Sequence, residues 1–358
     1  MKKARYIIPV ILLLFSLFLS LTACETPGVQ KEYETRSAAI SYSYFNTVSL
    51  LSSYGDTSEE EFESYVKISD ETLGYYHKLF DIYYEYSGIN NIRTINKNAG
   101  KNPVVVDEEL VVFLEYCKQL YTITQEKTNI MLGSVLKIWH DSRTLASEND
   151  GVLDESFLPD AATLTEAAKH TSMDSLIIDR EAKTVYISDP EASIDVGAIA
   201  KGYAAKKLAD KLKVLGADSL VLNAGGNIIT IGKKPDGSKW VTGITNPDKK
   251  AENSVICKVQ IGETSLVTSG DYERYFICGD KKYHHIIDPT TLFPADYFSS
   301  VSIFTADSAL ADALSTALFS MSYEDGFALV NEIGGVEVIW ITKTGEIKNT
   351  EGITFYNK

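Results

Sequence analysis

The chain has 358 residues, a formal net charge of -15 and a pI near 4.9. So acidic a protein repels nucleic acid and anionic lipid faces, which argues against a DNA- or RNA-binding role. Any anionic ligand must then be held by a local cation or by backbone N–H groups. Four cysteines exclude a disulfide-dense scaffold, and the length suits one large domain or two closely packed subdomains.

At the N-terminus, Lys2, Lys3 and Arg5 precede an almost wholly apolar run over residues 6–21. That run has the length of a signal h-region and is short for a membrane span. Leu21-Thr22-Ala23-Cys24 follows and looks like a bacterial lipobox, in which the cysteine is lipidated and becomes the new N-terminus. The alternative is an uncleaved anchor helix; either way the remainder is exported and membrane-attached. Loss of residues 1–23 removes three positive charges and takes the net charge from -15 to -18. With Cys24 acylated, Cys117, Cys257 and Cys278 read as buried free thiols. Residues 24–40 read as a tether and residues 41–358 as the folded domain.

Within the domain, residues 42–52 are strand-like, and Ser58 with Glu61 forms a capping box that opens a helix. Phe62, Val66, Ser69, Leu73, Tyr76 and Phe80 mark one face of it. A second helix starts near Asp107, with Leu110, Phe113, Leu114, Cys117 and Leu120 on one side. Residues 141–160 read as polar loop, and a short helix lies near 164–169. A hairpin is expected over 175–179 and 183–187, then a helix over 199–215 stopped by Gly216. Strands are expected at 219–223 and 227–231 around Gly225-Gly226, at 240–244 and through 256–289. Helices over 308–320 and 324–333 and a strand over 336–341 complete an α+β pattern of hairpins with interspersed helices.

Candidate chemistry is confined to the second half. Asp312 and Thr316, at i and i+4 of an expected helix, share one face. A carboxylate and a hydroxyl, with a carbonyl and phosphate oxygens, suit Mg²⁺; the plain alternative is a cap or ion pair and a back-bonded hydroxyl. Lys201 follows Gly197 and Ala198 at a helix start, where free N–H groups favour anions, although an ordinary loop-to-helix turn explains it too. Asn223-Ala-Gly-Gly-Asn227 permits close ligand contact or simply makes a hairpin turn. His285, three residues before Asp288-Pro289, can accept a proton near neutral pH. No P-loop, dinucleotide fingerprint or nucleophile elbow occurs, and the five histidines lack zinc-like spacing.

Taken in order, the motifs Asp195-Val-Gly-Ala-Ile-Ala-Lys201-Gly, Asn223-Ala-Gly-Gly, Thr268-Ser-Gly-Asp-Tyr, His284-His-Ile-Ile-Asp-Pro289 and Ala311-Asp312-Ala-Leu-Ser-Thr316 resemble those of the ApbE family, the FAD:protein FMN transferases. The resemblance runs from about residue 41 to the C-terminus. It implies a single large T-fold-like α+β domain of antiparallel hairpins and helices, built as two packed subdomains. It also implies a reaction. FAD binds with Mg²⁺ at its diphosphate, a threonine hydroxyl of an acceptor protein attacks the FMN-side phosphorus, and AMP leaves. Some relatives hydrolyse FAD instead, and a lipoprotein that only binds FAD is a further alternative. Carried onto this chain, Asp312, Thr316 and the carbonyl of Ala198 hold the metal, Lys201 neutralises the diphosphate, and His285 is the base. Asp195, Lys201, Ile286, Tyr86 and the triplet Lys127-Thr128-Asn129 fall at FAD-contacting positions. The chain departs from the family at Tyr44-Phe-Asn-Thr47 in place of Met-Gly-Thr, at Leu292 in place of a glycine and at Asn129 in place of an aspartate. These put the flavin-ring pocket in question more than the metal site. Export and a lipid anchor point to a membrane electron-transfer subunit as acceptor.

Overall fold

In the computed structural model, residues 33–356 are described; the lipobox Cys24 and the expected signal segment lie outside them. Eight strands form one wholly antiparallel sheet in the order β1 (Thr35–Ser41), β2 (Ser49–Tyr54), β6 (Ser219–Ala224), β7 (Asn227–Gly232), β10 (Ser265–Gly270), β13 (Phe298–Thr305), β14 (Glu337–Thr342), β15 (Ile347–Asn349). Smaller antiparallel sheets join β3 (Val104–Val105), β5 (Thr184–Ile187) and β4 (Leu176–Asp179), and β16 (Thr354–Phe355), β9 (Val255–Ile261) and β8 (Trp240–Thr245). The hairpin of β11 (Tyr275–Cys278) and β12 (Lys281–His284) stands separately. The helices are α1 (Glu59–Phe80), α2 (Ile92–Lys97), α3 (Glu108–Ile123), α4 (Gly133–Ser147), α5 (Ala161–Ala168), α6 (Ala200–Val214), α7 (Ser308–Phe319) and α8 (Tyr323–Ile333). No helix among the described residues is long and apolar enough to cross a membrane.

Local chemistry explains most of these boundaries. Ser58 and Glu61 exchange side-chain and backbone hydrogen bonds at the start of α1, the expected capping box. Asp107 caps α3, whose buried face is Leu110, Val111, Phe113, Leu114, Cys117 and Leu120. Gly225 and Gly226 both take positive φ (61° and 92°) in the tight turn between β6 and β7, a geometry that glycine adopts without strain. The described chain from Glu34 to Tyr356 is one compact unit, so the expected pair of subdomains is merged. Cys117 and Cys278 are buried free thiols, while Cys257 is only partly covered.

Three expectations need correction. β1 takes in Thr35–Ser41, so part of the supposed tether is an edge strand of the main sheet. The strand-like run 42–52 is broken by a tight turn at Tyr44–Asn46 and resumes as β2. The polar stretch from Asp141 continues α4 through Ser147, and its buried side chains include Val135, Trp139, Ser142 and Ala146.

The contact that places the site is between α6 and α7. A Cβ on Gly202 would stand 2.2 Å from Ser308 O and 2.6 Å from Asp312 Cβ, so only glycine lets the two helices approach this closely. Both neighbours are backbone or Cβ atoms and cannot swing aside. Gly202→Ala is expected to cost about 3 kcal/mol of folding stability, the upper part of the overpacking range. Urea unfolding of both proteins checks this, and a change below about 0.5 kcal/mol, the size of an ordinary surface substitution, contradicts it.

Candidate active site

Gly202 is the third residue of α6, so its N–H is one of the first-turn donors that a helix leaves without an internal partner. It donates to Asp312 Oδ2 at 2.7 Å. The helix is bonded on either side of this point, with Ala200 N–H to Val196 O at 2.9 Å and Tyr203 N–H to Ile199 O at 3.0 Å. No donor among the described residues reaches Ala198 O, which leaves that carbonyl with its lone pairs free. Asp312 is 4 % exposed, and its Oδ1 lies 3.6 Å from Lys201 Nζ. Burial raises the Asp312 carboxyl above its ordinary range, and Lys201 and the Gly202 N–H oppose the shift. Lys201 Nζ also donates to Asn227 Oδ1 at 3.2 Å. Asn227 is 1 % exposed, and its side-chain amide also bears on Asp312, helping Lys201 and Gly202 to oppose the shift. The Gly-Gly turn is thus a hairpin turn, and it also carries Asn227 to Lys201. Thr316 follows Asp312 by one helical turn on the same face and is partly exposed.

The donors around this point are a carboxylate, an unbonded carbonyl and a hydroxyl, all hard oxygens of the kind Mg²⁺ takes. Among the described residues no group of three His, Cys, Asp or Glu side chains forms a metal cluster, but this oxygen set contains a single carboxylate. With Ala198 O unbonded and Asp312 buried beside it, the residues fit such an ion.

His285 is the second part of the site. Its Nδ1 lies 3.2 Å from the carbonyl of Arg274, so Nδ1 carries the proton and Nε2 keeps its lone pair. Burial, Arg274, His284 and Arg143 push its pKa down to about 3, so the ring is neutral at physiological pH. The adjacent His284 has both ring nitrogens engaged, Nε2 with Ala295 O at 2.8 Å and Nδ1 accepting from Ile286 N–H at 3.2 Å. It is a structural residue. Ile286 belongs to the core beneath β13 and α7, and its N–H and C=O bond His284 and Ala295.

Asp195 bridges the two parts. Its Oδ1 accepts from Gly197 N–H at 2.9 Å, shaping the turn into Ala198, and its Oδ2 lies 3.9 Å from His140 Nε2. His140, Arg143 and His285 line one water-sized cavity of about 10 Å³ together with Trp139 and His284. Tyr83 OH lies 3.4 Å from His140 Nδ1 on the open side. Tyr83, His140 and Arg143 carried no signal in the sequence, whereas Gly202 and Asn227 fell inside motifs without being singled out. Arg274 lies two residues past Thr268-Ser-Gly-Asp-Tyr272, which was the only available signal for it. A wider groove of about 280 Å³ between α1 and α6, lined by Thr72, Tyr76, Lys207 and Lys211, contains none of the expected site residues.

The triplet Lys127-Thr128-Asn129 is a clamp. Lys127 Nζ reaches Asp288 Oδ1 and Thr290 Oγ1, each at 2.9 Å. Thr128 Oγ1 donates to Ala313 O at 2.7 Å, and Asn129 Nδ2 donates to Thr171 O at 2.9 Å. All three side chains hydrogen-bond protein groups here. An aspartate at 129 could not donate to Thr171, so the departure has a local reason. Leu292 holds φ at +65°, a conformation natural to glycine, while its carbonyl accepts from Trp139 Nε1 at 2.9 Å. Tyr86 donates to Asp81 Oδ2 at 2.6 Å, which, with burial, raises its hydroxyl to about 12; its ring meets His77 edge-on. It stands in the same loop as Tyr83.

His284 supplies a pH test of this architecture. Burial lowers its pKa from 6.5 to about 4 in the folded chain, so between those values the unfolded chain binds a proton that the folded chain does not. Stability due to this ring is present above about 6.5 and is lost as pH falls toward 4, up to about 3 kcal/mol. Urea unfolding at pH 7.5 and 4.5 should show a shallower pH dependence for His284→Gln than for the wild type. Equal dependences contradict the assignment.

The ApbE family profile matches residues 47–340. An FAD:protein FMN transferase of Treponema pallidum is 33% identical over 276 residues, covering 73% of each chain. One from Klebsiella pneumoniae is 30% identical over 259 residues, covering 72% of this chain and 77% of its own. Among solved structures, the ApbE protein of Thermotoga maritima superposes with a TM-score of 0.75 at 25% identity, covering 89% of this chain and 97% of its own. The flavin transferase ApbE of Vibrio cholerae gives a TM-score of 0.72 at 22% identity and shows the same fold. The chain belongs to the ApbE family.

Proposed function

We propose that this protein moves the FMN half of FAD onto a threonine hydroxyl of an acceptor protein and releases AMP. The observation that carries the reading is buried Asp312, held by the Gly202 N–H and facing Lys201, close to a carbonyl, Ala198 O, that no donor reaches among the described residues. Such an oxygen-and-ammonium cradle suits a diphosphate with its counter-cation. Ala198 O, Asp312 and Thr316 would hold Mg²⁺, which when bound supplies positive charge to the diphosphate oxygens. Lys201 adds a cation held in place by Asn227.

The threonine oxygen forms a bond to the FMN-side phosphorus, and the bond from that phosphorus to the bridging oxygen breaks. The bridging oxygen leaves on AMP with the bond's electron pair. The threonine proton passes to Nε2 of His285, the ring nitrogen that the Arg274 carbonyl leaves free. Its lowered pKa keeps that nitrogen unprotonated beforehand. The lipobox-like residues Leu21-Thr22-Ala23-Cys24 support an exported, lipid-anchored enzyme, and with it an acceptor exposed at the outer membrane face.

Incubation with FAD, Mg²⁺ and a threonine-bearing acceptor should give one FMN phosphoester by intact mass and one AMP per acceptor. Free FMN and AMP without acceptor at the same rate would mark a hydrolase instead. FAD that stays bound with no AMP formed would leave a binding protein. His285→Ala should slow transfer about 10²–10⁴-fold. Asp312→Ala should slow it about 10²-fold or more at limiting Mg²⁺. Unchanged rates contradict the respective roles.

A further inference from the structure

Asp271, in the Thr268-Ser-Gly-Asp-Tyr272 motif, directly follows β10 and is only 4 % exposed. Its Oδ1 lies 2.8 Å from Lys282 Nζ on β12, and its Oδ2 lies 3.0 Å from Lys343 Nζ, just past β14. Its N–H donates to Ser299 O on β13 at 3.1 Å. Lys343 Nζ also reaches Asp296 Oδ1 at 3.1 Å. These four charged groups are tied to the histidine pair from both sides. Lys282 precedes His284 and His285 on the same run of chain. Asp296 follows Ala295, whose O meets His284 Nε2 at 2.8 Å and whose N–H donates to Ile286 O at 3.0 Å. Asp271 itself opens the short segment that ends at Arg274, whose carbonyl accepts from His285 N–H at 3.0 Å and meets its Nδ1 at 3.2 Å.

We infer that Asp271 is a positioning residue for the base His285. This rests on the transferase reading, in which His285 takes the threonine proton. Among the described residues β12 has β11 as its only strand partner, so no ladder of hydrogen bonds fixes it to the main sheet. The ion cluster supplies that tie, joining β12 to the ends of β10 and β14. A buried carboxylate between two ammonium groups adds little net stability, because desolvation offsets most of the attraction; what it provides is one fixed arrangement of its partners. Here that arrangement holds two things at once: the segment that carries the Arg274 carbonyl and the strand that leads into His285. Carbonyl and ring then keep the spacing at which Nδ1 holds the proton and Nε2 is free to accept one. With the tie loosened, the ring leaves the carbonyl and the tautomer with a protonated Nε2 becomes populated, which cannot serve as the base.

The test uses the whole protein with Asp271→Asn, which keeps the shape and removes the charge, and with Lys343→Met and Lys343→Arg, each also made in the His285→Ala background. At saturating FAD with Mg²⁺ and acceptor, AMP release should fall about 10- to 100-fold in Asp271→Asn and about tenfold in Lys343→Met, with Lys343→Arg recovering most of it. The KM for FAD should stay within about twofold, because the loss is one of alignment at the reacting atoms. In the His285→Ala background the same substitutions should change the rate less than about twofold, since the group they act through is gone. Nitrogen-15 NMR of the histidine rings reads the tautomer without substrate: His285 should carry its proton on Nδ1 in the wild type and on a mixture of the two nitrogens in Asp271→Asn. AMP release within threefold of wild type in both Asp271→Asn and Lys343→Met overturns the inference. So does an undiminished loss in the His285→Ala background, which marks a merely structural role, and so does an unchanged His285 tautomer. Should Asp271→Asn fail to fold, the two Lys343 variants decide by the same criteria. If wild type releases no AMP with any acceptor, the transferase reading fails, and the ring spectra still decide whether Asp271 positions His285.

Discussion

One hydrogen bond organises the site: Gly202 N–H, which has no partner in its own helix, is given to Asp312. It does two things together. It anchors a buried carboxylate whose desolvation is otherwise offset by Lys201 at 3.6 Å and by the Asn227 side chain. It ties α6 to α7 at a point where any side chain on residue 202 would strike Ser308 and Asp312. The same glycine that makes close packing possible therefore fixes the carboxylate beside Lys201.

The other half of the site is assembled from distant pieces held by clamps. Lys127, Thr128 and Asn129 bind the loop after β12, helix α7 and the end of α5 together. Asp195 fixes the turn ahead of Ala198 with one oxygen and faces His140 with the other. That residue thus links the turn into α6 with the cavity that His140 and His285 share. A substitution in the triplet would act by loosening this assembly.

Elements with local signals were legible in the sequence. The Ser58–Glu61 box, Asp107 and Gly216 mark helix ends by side-chain or backbone chemistry, and all lie where expected. α4 was missed because it starts at Leu132 with no side-chain cap and passes without a break into polar residues. β1 was taken for tether because, as an edge strand, it alternates exposed and half-covered residues and carries charges. At the site, Lys201, Asp312 and His285 could be read from motif order, and Arg274 from its place in a motif. Arg143 could not, because its nearness to His285 arises only from the packing of α4 against the hairpin. The partners of the triplet were not legible either, because Asp288, Ala313 and Thr171 meet it only in the folded chain.

The central claim is that Ala198 O and Asp312, the latter fixed by the Gly202 hydrogen bond, together form the cation end of the site. A crystal structure of the protein with FAD and Mg²⁺ tests it most directly. The account predicts an ion touching both Ala198 O and an Asp312 carboxylate oxygen, with Gly202 N–H still donated to Asp312. An ion bound elsewhere, or a Gly202 N–H donated to Ala198 O, would contradict it.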